Sequence, residues 1–292
     1  MAPPVTDGVL VVDKPAGMTS HDVVDSIRKR FHTKKVGHAG TLDPDATGVL
    51  LIGLGKATRF LAYAQDAPKR YSASGRFGIS TSTQDASGEI LLTRPCSFGR
   101  DELALSLEKF TGDIEQIPPM VSAVKIGGER LHAKARRGET VERPPRAVTI
   151  YELNLISFTD GDAPEADLDV RCSSGTFVRT LIDDIGEMLG CGAHMTALRR
   201  VETGGFSIDE AIPLDAIGPE HLLGLIEAVR VLPIVDASDE HAADVSFGRK
   251  LPASIAPELG DQELVAVRSG GDLVAVYKRA GDSLAADRVV PA

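Results

Sequence analysis

The chain has 292 residues, of which 42% are hydrophobic and 25% are charged, and its formal net charge is −10. These fractions are typical of globular proteins, and the length favours one large domain with a small one. No apolar stretch is long enough to span a bilayer, and Met1–Asp7 lacks the basic and apolar regions of a signal peptide. We therefore expect a cytoplasmic location and neither a membrane nor a secreted protein.

Hydrophobic periodicity and turn residues predict short strands interspersed with short helices. Gly8–Asp13 is an apolar run that predicts a buried strand, and Ser20 is placed to cap the helix that follows. Glu129–Arg137 is predicted to be a short basic helix that ends at Gly138. The other predicted elements are strands at Val49–Leu54, Tyr71–Phe77, Glu89–Thr93, Val121–Ile126, Arg146–Phe158 and Leu168–Ser173, and helices at Lys56–Gln65, Asp101–Phe110 and Thr176–Leu189.

This order of elements lacks the regular spacing of strand–helix–strand repeats, which favours a mixed α+β fold. A break is expected near Gly218–Pro233. Beyond it, Leu264–Val267 and Leu273–Tyr277 flank Gly270-Gly271, which is a good signal for a β-hairpin. We therefore expect two domains, at residues 1–230 and 231–292, the second of them small and β-rich.

The cysteines favour a reducing environment. There are three of them, an odd number without Cys-x-x-Cys spacing, so the sequence indicates neither a disulfide framework nor a zinc site. No other cluster of metal-ligating residues is evident, and we expect no metal.

The negative charge is unevenly distributed along the chain. Residues 205–292 hold 15 acidic and 7 basic side chains, a net charge of −8, whereas residues 121–150 have a net charge of +4. A local basic surface can hold phosphates even on an acidic protein, although such a run is more often an ordinary solvated surface. The charge pattern alone therefore favours an RNA partner only weakly.

Val36–Leu50 is the most informative stretch of the chain. It contains one histidine, three glycines and Asp43, which is followed by proline and then by an apolar run. Proline restricts Asp43 to an extended or turn conformation, which would present its carboxylate on an ordered loop. An Asp-Pro turn with no chemistry is the alternative interpretation, and for Asp-Pro alone it would be preferred.

Together with other motifs, this stretch resembles the TruB family of bacterial tRNA pseudouridine synthases across nearly the whole chain. Any one motif is weakly specific, but their number and order are highly specific. The matching elements are Gly8–Pro15, Gly17–Ser20, Val36–Leu50, Lys69–Tyr71, Gln116–Pro119, Ser122–Lys125, Ala135–Gly138, Cys172–Leu181 and Ala193-His194 with Leu198–Arg200.

The resemblance implies a mainly antiparallel sheet domain of the pseudouridine synthase type with flanking helices, and a small PUA-like C-terminal domain. It also implies isomerisation of uridine to pseudouridine, at uridine 55 in the T arm of tRNA. The family uses no cofactor, and we expect none, which agrees with a sequence that lacks phosphate-binding glycine loops.

The resemblance makes Asp43 the catalytic carboxylate and Arg179 its charge partner. A catalytic carboxylate must be ionised, and burial disfavours the charged form, so a neighbouring guanidinium is a suitable partner. The alternative for Arg179 is a helix-surface arginine paired with Asp183 one turn later. Asp45, two residues beyond Asp43, lies outside the family pattern and is interpreted as a solvated loop residue.

The remaining site residues are also implied by the resemblance. Tyr71 would stack on the target base and remove its C5 proton, and His38 would fill the space left by a flipped nucleotide. The other expected RNA contacts are Lys14, Lys69, Lys125, Arg136, Arg146, Phe177, Leu198, Arg199 and Arg200. The sequence departs from the family pattern at Val121, His132 and Phe177, which leaves local packing open but not the reaction.

Two rival functions remain open on the sequence. The chain could chiefly bind and fold tRNA, with modification secondary, or it could be a glycosidase that releases free uracil. The related dyskerin-type synthases use a guide RNA within a multiprotein particle. A chain with a compact C-terminus favours a monomer that acts on the tRNA T-arm stem-loop without a guide RNA.

Overall fold

The computed structural model describes residues 7–120, 125–126, 128–130, 137, 141–238, 241, 244–245 and 247–291. Within these residues the helices are α1 (Ser20–Arg30), α2 (Leu61–Asp66), α3 (Arg100–Glu108) and α4 (Val178–Met188). The strands are β1 (Gly8–Lys14), β2 (Val36–His38), β3 (Thr47–Leu54), β4 (Lys69–Phe77), β5 (Ile79–Thr81), β6 (Ile90–Thr93), β7 (Gly112–Gln116), β8 (Lys125–Ile126), β9 (Glu129–Arg130), β10 (Arg146–Thr159), β11 (Glu165–Cys172), β12 (Ala193–Thr203), β13 (Phe206–Ser207), β14 (Ile212–Pro213), β15 (Ile234–Asp236), β16 (Leu251–Pro252), β17 (Leu264–Ser269), β18 (Asp272–Ala280) and β19 (Ser283–Val289).

The described residues form two compact units. The first unit contains the residues up to Ala67 and those from Glu202 onward, and the second runs from Pro68 to Val201. Both units combine strands with a few helices, which confirms the predicted α+β class. The predicted domain boundary between residues 230 and 231 stays a prediction. The two compact units are defined by contacts between residues, and such units need not coincide with domains.

In the first unit, β3 lies between β1 and β2 and is antiparallel to both, while β14 runs parallel to β1. Their apolar runs face two cores because successive strand residues point to opposite sides. Leu10 and Leu50 pack with Val23 and Ile27 of α1. The opposite side of the same strands packs against residues of α2 and of the C-terminal strands β17 and β18.

Helix α1 is capped one residue earlier than predicted. Thr19, and not Ser20, is the N-cap: its hydroxyl accepts a hydrogen bond from Asp22 N at 3.1 Å, and the Asp22 carboxylate accepts one from Thr19 N at 2.8 Å. This reciprocal pair is a capping box. The side chain of Ser20 is therefore available for other contacts.

The second unit contains a sheet with the strand order β12-β4-β11-β10-β7, and the pairings of β4, β11, β10 and β7 are antiparallel. The predicted strands at β4, β10 and β11 and the helices α3 and α4 are confirmed within a few residues. The helix predicted over Glu129–Arg137 is wrong at its start, because Glu129 and Arg130 pair in register with Lys125 and Ile126 as strands. Most of its remaining residues lie outside the described part of the chain.

The C-terminal part of the first unit is a five-stranded sheet in the order β15-β17-β18-β19-β16. Gly270 and Gly271 form the predicted turn between β17 and β18, with φ values of 59° and 88° that favour glycine. Val265, Val267 and Tyr277 form part of the core of this sheet. The prediction of a β-rich C-terminal region is thus confirmed.

Candidate active site

Asp43 lies in the loop between β2 and β3 of the first unit. Its side chain is half-buried, and Asp45, two residues later, is exposed, as predicted for a solvated loop residue. Gly40 and Gly48 have φ values of 91° and 99°, so the loop turns at positions that favour glycine. His38 is the last residue of β2 and pairs in register with Ile52.

The residue before Asp43 is bound on both sides of its main chain by one hydroxyl. Ser20 Oγ accepts a hydrogen bond from Leu42 N at 2.8 Å and donates one to Leu42 O at 3.1 Å. Ser20 is 2% exposed and Leu42 is 3% exposed, so water does not compete for these groups. The sequence assigned Ser20 to the helix cap and gave no signal of this contact.

The residue after Asp43 is bound by Lys14. The ammonium of Lys14 donates to Pro15 O at 2.8 Å, Met18 O at 2.6 Å and Pro44 O at 2.9 Å, and Gly17 N donates to the same Pro44 oxygen at 3.0 Å. Lys14 is fully buried. This burial contradicts its predicted phosphate contact, because an ammonium must be exposed to meet a phosphate oxygen.

Arg179 is the second residue of helix α4 in the second unit, and it is only 5% exposed. The alternative of an ordinary surface arginine is therefore wrong. The start of the helix is fixed by buried Gln116, whose Oε1 accepts from Phe177 N at 2.9 Å and whose Nε2 donates to Phe177 O at 3.2 Å. Phe177, an expected RNA contact, is the half-buried N-cap residue.

Arg179 is paired with a carboxylate that the sequence did not single out. Its Nη1 lies 3.1 Å from Asp85 Oδ2, and both side chains are mostly shielded from water. Burial opposes ionisation of Asp85, but hydrogen bonds from Ser87 and Thr83, followed by the charge of Arg179, lower its pKa. Asp85 is thus held as a carboxylate beside the guanidinium. Asp85 and Arg179 are 94 residues apart, so local sequence patterns give no signal of this pair.

The neighbouring residue Gln84 fastens this turn to helix α4. Gln84 Oε1 accepts from Thr180 Oγ1 at 2.8 Å, and its Nε2 donates to Asp183 Oδ2 at 2.7 Å. Gln84 has a positive φ of 63°, which is uncommon for a residue other than glycine. Asp183, which the alternative interpretation paired with Arg179, therefore accepts a hydrogen bond from Gln84, the residue before Asp85.

Tyr71 and Lys69 lie on the same side of strand β4, two residues apart. Tyr71 is 8% exposed and pairs in register with Val170, and Lys69 is 7% exposed and pairs with Cys172. The phosphate contact predicted for Lys69 stays a prediction. The roles predicted for Tyr71, stacking on the target base and removing its C5 proton, stay predictions.

The other expected RNA contacts differ in their exposure. Arg146 is exposed at the start of β10, and Leu198 and Arg199 are half-buried on β12. Arg200 is 1% exposed, which contradicts its predicted phosphate contact. Arg136 lies outside the described residues, as do Val121 and His132, and only the backbone of Lys125 is described.

The candidate site residues are divided between the two units. Lys14, His38 and Asp43 belong to the first unit, and the catalytic candidates Tyr71 and Arg179 belong to the second. The pairing of Asp43 with Arg179 stays a prediction. Within the described part of the chain, no three His, Cys, Asp or Glu side chains are arranged to hold a metal ion. No helix among the described residues is long and apolar enough to cross a membrane.

Comparison with known protein families matches most of the chain. The family described as TruB family pseudouridylate synthase (N terminal domain) matches residues 28–178. The family described as tRNA pseudouridylate synthase B C-terminal domain matches residues 179–222. The first match alone spans more than half of the chain.

Curated relatives extend the similarity over nearly the full length. The tRNA pseudouridine synthase B of Corynebacterium aurimucosum is 47% identical over 249 residues, which cover 84% of this chain and 84% of that protein. The enzyme of the same name from Corynebacterium glutamicum (strain ATCC 13032) is 44% identical over 290 residues, 97% of this chain and 96% of that protein.

Solved structures share the fold. A chain of a Cbf5-Nop10-Gar1 complex aligns with a TM-score of 0.75 and 29% identity, over 97% of this chain and 84% of that chain. A chain of an H/ACA RNP bound to a substrate RNA containing 2′-deoxyuridine aligns with a TM-score of 0.73 and 26% identity, over 98% of this chain and 85% of that chain.

Proposed function

The chain belongs to the TruB family of pseudouridylate synthases, and on this premise we propose that it modifies uridine 55 in the T arm of tRNA with Asp43 as its catalytic carboxylate. It is an isomerase that forms pseudouridine. The observation that carries the proposal is the main-chain support on both sides of Asp43. Leu42 is bound by Ser20, and Pro44 is bound by Lys14 and by Gly17 N.

This support suits the reaction because a reacting group must be held in place before the substrate arrives. In the isomerisation, the bond from N1 of uracil to C1′ of the ribose breaks, and a bond from C5 to C1′ forms. C5 loses a proton and N1 gains one, so the mass of the RNA is unchanged. A carboxylate can take part as a nucleophile or as a base, and Asp43 is proposed for this step.

Arg179 is proposed to stabilise the negative charge of Asp43 during the reaction. Support comes from its burial and from its contact with Asp85, because a shielded guanidinium interacts strongly with carboxylates. Tyr71 is proposed to stack on the target uracil and to accept its C5 proton late in the reaction. His38 is proposed to occupy the space that the flipped nucleotide leaves.

The RNA is proposed to be recognised by shape, stacking and backbone contacts more than by base edges along its helix, because side chains cannot read the deep, narrow major groove of an RNA helix. The residues that remain proposed contacts are Phe177, Leu198, Arg199, Arg146, Lys125 and Arg136. Lys69 also stays a proposed contact, whereas fully buried Lys14 and Arg200 are no longer among them. We further propose that the chain acts as a cytoplasmic monomer, without a cofactor, metal ion or guide RNA.

The test is incubation of the purified protein with an unmodified T-arm hairpin, followed by carbodiimide mapping of pseudouridine. We expect one modified uridine at the position that corresponds to uridine 55, without added metal or guide RNA. Asp43→Asn should lower the rate by at least about 10³-fold, because the essential carboxylate is lost. Asp45→Asn is the matched control, since its exposed side chain lies two residues away, and it should keep nearly the parent rate.

Several results would contradict the proposal. Equal loss of activity in both variants would mean that the loop, and not the Asp43 carboxylate, is required. Tight tRNA binding with no pseudouridine would favour the tRNA-folding alternative. Release of free uracil, seen as a loss of RNA mass, would favour the glycosidase. A requirement for a guide RNA would place the chain with synthases that act in larger particles.

A further inference from the structure

Ser20 makes contacts that its place in the sequence does not explain. It is the first residue of helix α1, where the exposed N-cap role belongs to Thr19. Its hydroxyl points instead to a residue 22 positions later and bonds both polar main-chain atoms of Leu42. A single hydroxyl that accepts from an N–H and donates to a C=O of the same residue restricts that residue on both sides.

We propose that Ser20 is a positioning residue for Asp43, an inference that rests on the proposed catalytic role of that aspartate. The carbonyl of Leu42 belongs to the peptide group that contains the Asp43 N–H. Because a peptide group is planar, a hydrogen bond to Leu42 O orients the whole plane that enters Asp43. Ser20 therefore sets the direction from which the Asp43 side chain leaves the backbone.

The opposite side of Asp43 is already restrained. Pro44 follows Asp43 and limits its backbone to extended or turn conformations. The Pro44 carbonyl accepts hydrogen bonds from Lys14 Nζ at 2.9 Å and from Gly17 N at 3.0 Å. With Leu42 bound by Ser20, the main chain is held both before and after Asp43.

The hydrogen bonds of Ser20 are also well shielded. Ser20 and Leu42 are 2% and 3% exposed, so removal of the hydroxyl would leave buried polar groups that water does not readily reach. The loop would have to shift to satisfy Leu42, and Asp43 is the next residue. A displacement of about 1 Å at a reacting group can cost about 100-fold in rate.

The experiment measures kcat and KM on the T-arm hairpin for the parent chain, Ser20→Ala and Ser20→Thr. Ser106→Ala is the matched control, because Ser106 is also buried and its hydroxyl donates to a main-chain carbonyl, Leu103 O, at 2.6 Å. Ser106 belongs to helix α3, which contains no residue of the candidate site. Thermal unfolding of each variant shows that the assays use folded protein.

We expect Ser20→Ala to lower kcat by about 10- to 100-fold with KM within about twofold of the parent, because positioning and not RNA binding is lost. Ser20→Thr keeps the hydroxyl and should recover most of the lost kcat. Ser106→Ala should lower the melting temperature by a similar amount to Ser20→Ala and leave kcat unchanged. A merely structural role for Ser20 predicts the same unchanged kcat.

Two results would overturn the inference. One is a kcat for folded Ser20→Ala within about twofold of the parent value, which a positioning role does not allow. The other is a folded Ser20→Thr whose kcat is as low as that of Ser20→Ala. Failure of the proposed function is distinguishable, because Asp43→Asn would then stay active whatever the result at Ser20.

Discussion

Leu42, next to Asp43, and Phe177, two residues before Arg179, each have their main-chain N–H and C=O bound by one buried side chain. Ser20 binds Leu42, and Gln116 binds Phe177. The two regions belong to different units and have different secondary structure, a loop and a helix start. In both regions, a buried polar side chain fixes the backbone beside a candidate site residue.

The two regions differ in the groups that their buried cation contacts. Beside Asp43, the buried Lys14 ammonium donates to three neutral carbonyl oxygens. Beside Phe177, the Arg179 guanidinium meets the Asp85 carboxylate, a full opposite charge. The Lys14 contacts named above are thus to main-chain carbonyl oxygens, whereas the Arg179 contact is to a carboxylate. Charge removal should affect stability and activity in both regions, with the larger loss of stability at Lys14.

The largest stability effect is expected for Lys14→Met, which keeps most of the volume but removes the ammonium. Three main-chain carbonyl oxygens would lose a charged donor, and hydrogen bonds of this kind contribute about 1.5–3 kcal/mol each. Because the loop can relax partly, we expect the free energy of unfolding to fall by about 3 kcal/mol in chemical denaturation.

The control for this prediction is Lys56→Met. Lys56 is half-buried, and its ammonium lies 4.0 Å from the Asp7 carboxylate, so its loss should cost less than about 1 kcal/mol. A similar loss in both variants would show that the three carbonyl contacts of Lys14 are not what stabilises the loop.

Asp85→Asn should have the next largest effect, on activity and stability together. The variant keeps the shape but leaves the buried Arg179 guanidinium without this carboxylate. Removal of one partner of a buried pair costs about 3–5 kcal/mol, and partial exposure of Asp85 reduces the expected loss to about 2 kcal/mol. We expect the rate on the T-arm hairpin to fall by about 10-fold.

The effect of Asp85 should also depend on pH. Its pKa is lowered in the folded chain from the usual 3.8, so its stabilisation is present above that value and is lost as the pH falls through the lower folded pKa. The difference between parent and variant should therefore shrink below about pH 4. Asp25→Asn is the control: the Asp25–Arg28 pair is only half-buried, so its loss should cost less stability than the loss of the Asp85–Arg179 pair.

The features predicted from sequence are those with local causes. The buried strands β1 and β3 follow from apolar runs, and the C-terminal hairpin follows from Gly270-Gly271. Strand β12 was not predicted, because charged Arg199 and Arg200 interrupt the apolar pattern, and the burial of Arg200 depends on its surroundings in the folded chain.

The supports of the candidate site were missed for a related reason. Ser20 and Leu42 are 22 residues apart, and Asp85 and Arg179 are 94 residues apart. Local periodicity carries no information on such pairs, and motif resemblance identified Asp43 and Arg179 but not what holds them. The same limit explains Lys14, whose charge predicted a surface contact although the fold buries it.

The smallest effect is expected at Asp184, which lies on helix α4 with Arg179. Arg179 is paired with an opposite charge, whereas Asp184 lies near the like charge of Asp183. Burial and then the charge of Asp183 raise the pKa of Asp184 to about 6. The folded chain therefore binds more protons than the unfolded chain between about pH 4 and 6, and its stability falls as the pH rises through that range. Asp184→Asn should remove this loss and stabilise the chain by about 1 kcal/mol at pH 7.5, after allowance for solvent screening.

The control for Asp184 is Asp167→Asn on β11, where hydrogen bonds from Ser74 and Ser157 lower the carboxyl pKa. This change should destabilise the chain at neutral pH, opposite in sign to Asp184→Asn. Denaturation at pH 5 and pH 7.5 measures both. If Asp184→Asn gave no more stability at pH 7.5 than at pH 5, the ionised Asp184 carboxylate would not destabilise the folded chain. Helix α4 would then contain the stabilising Arg179–Asp85 ion pair without a destabilising charge at Asp184.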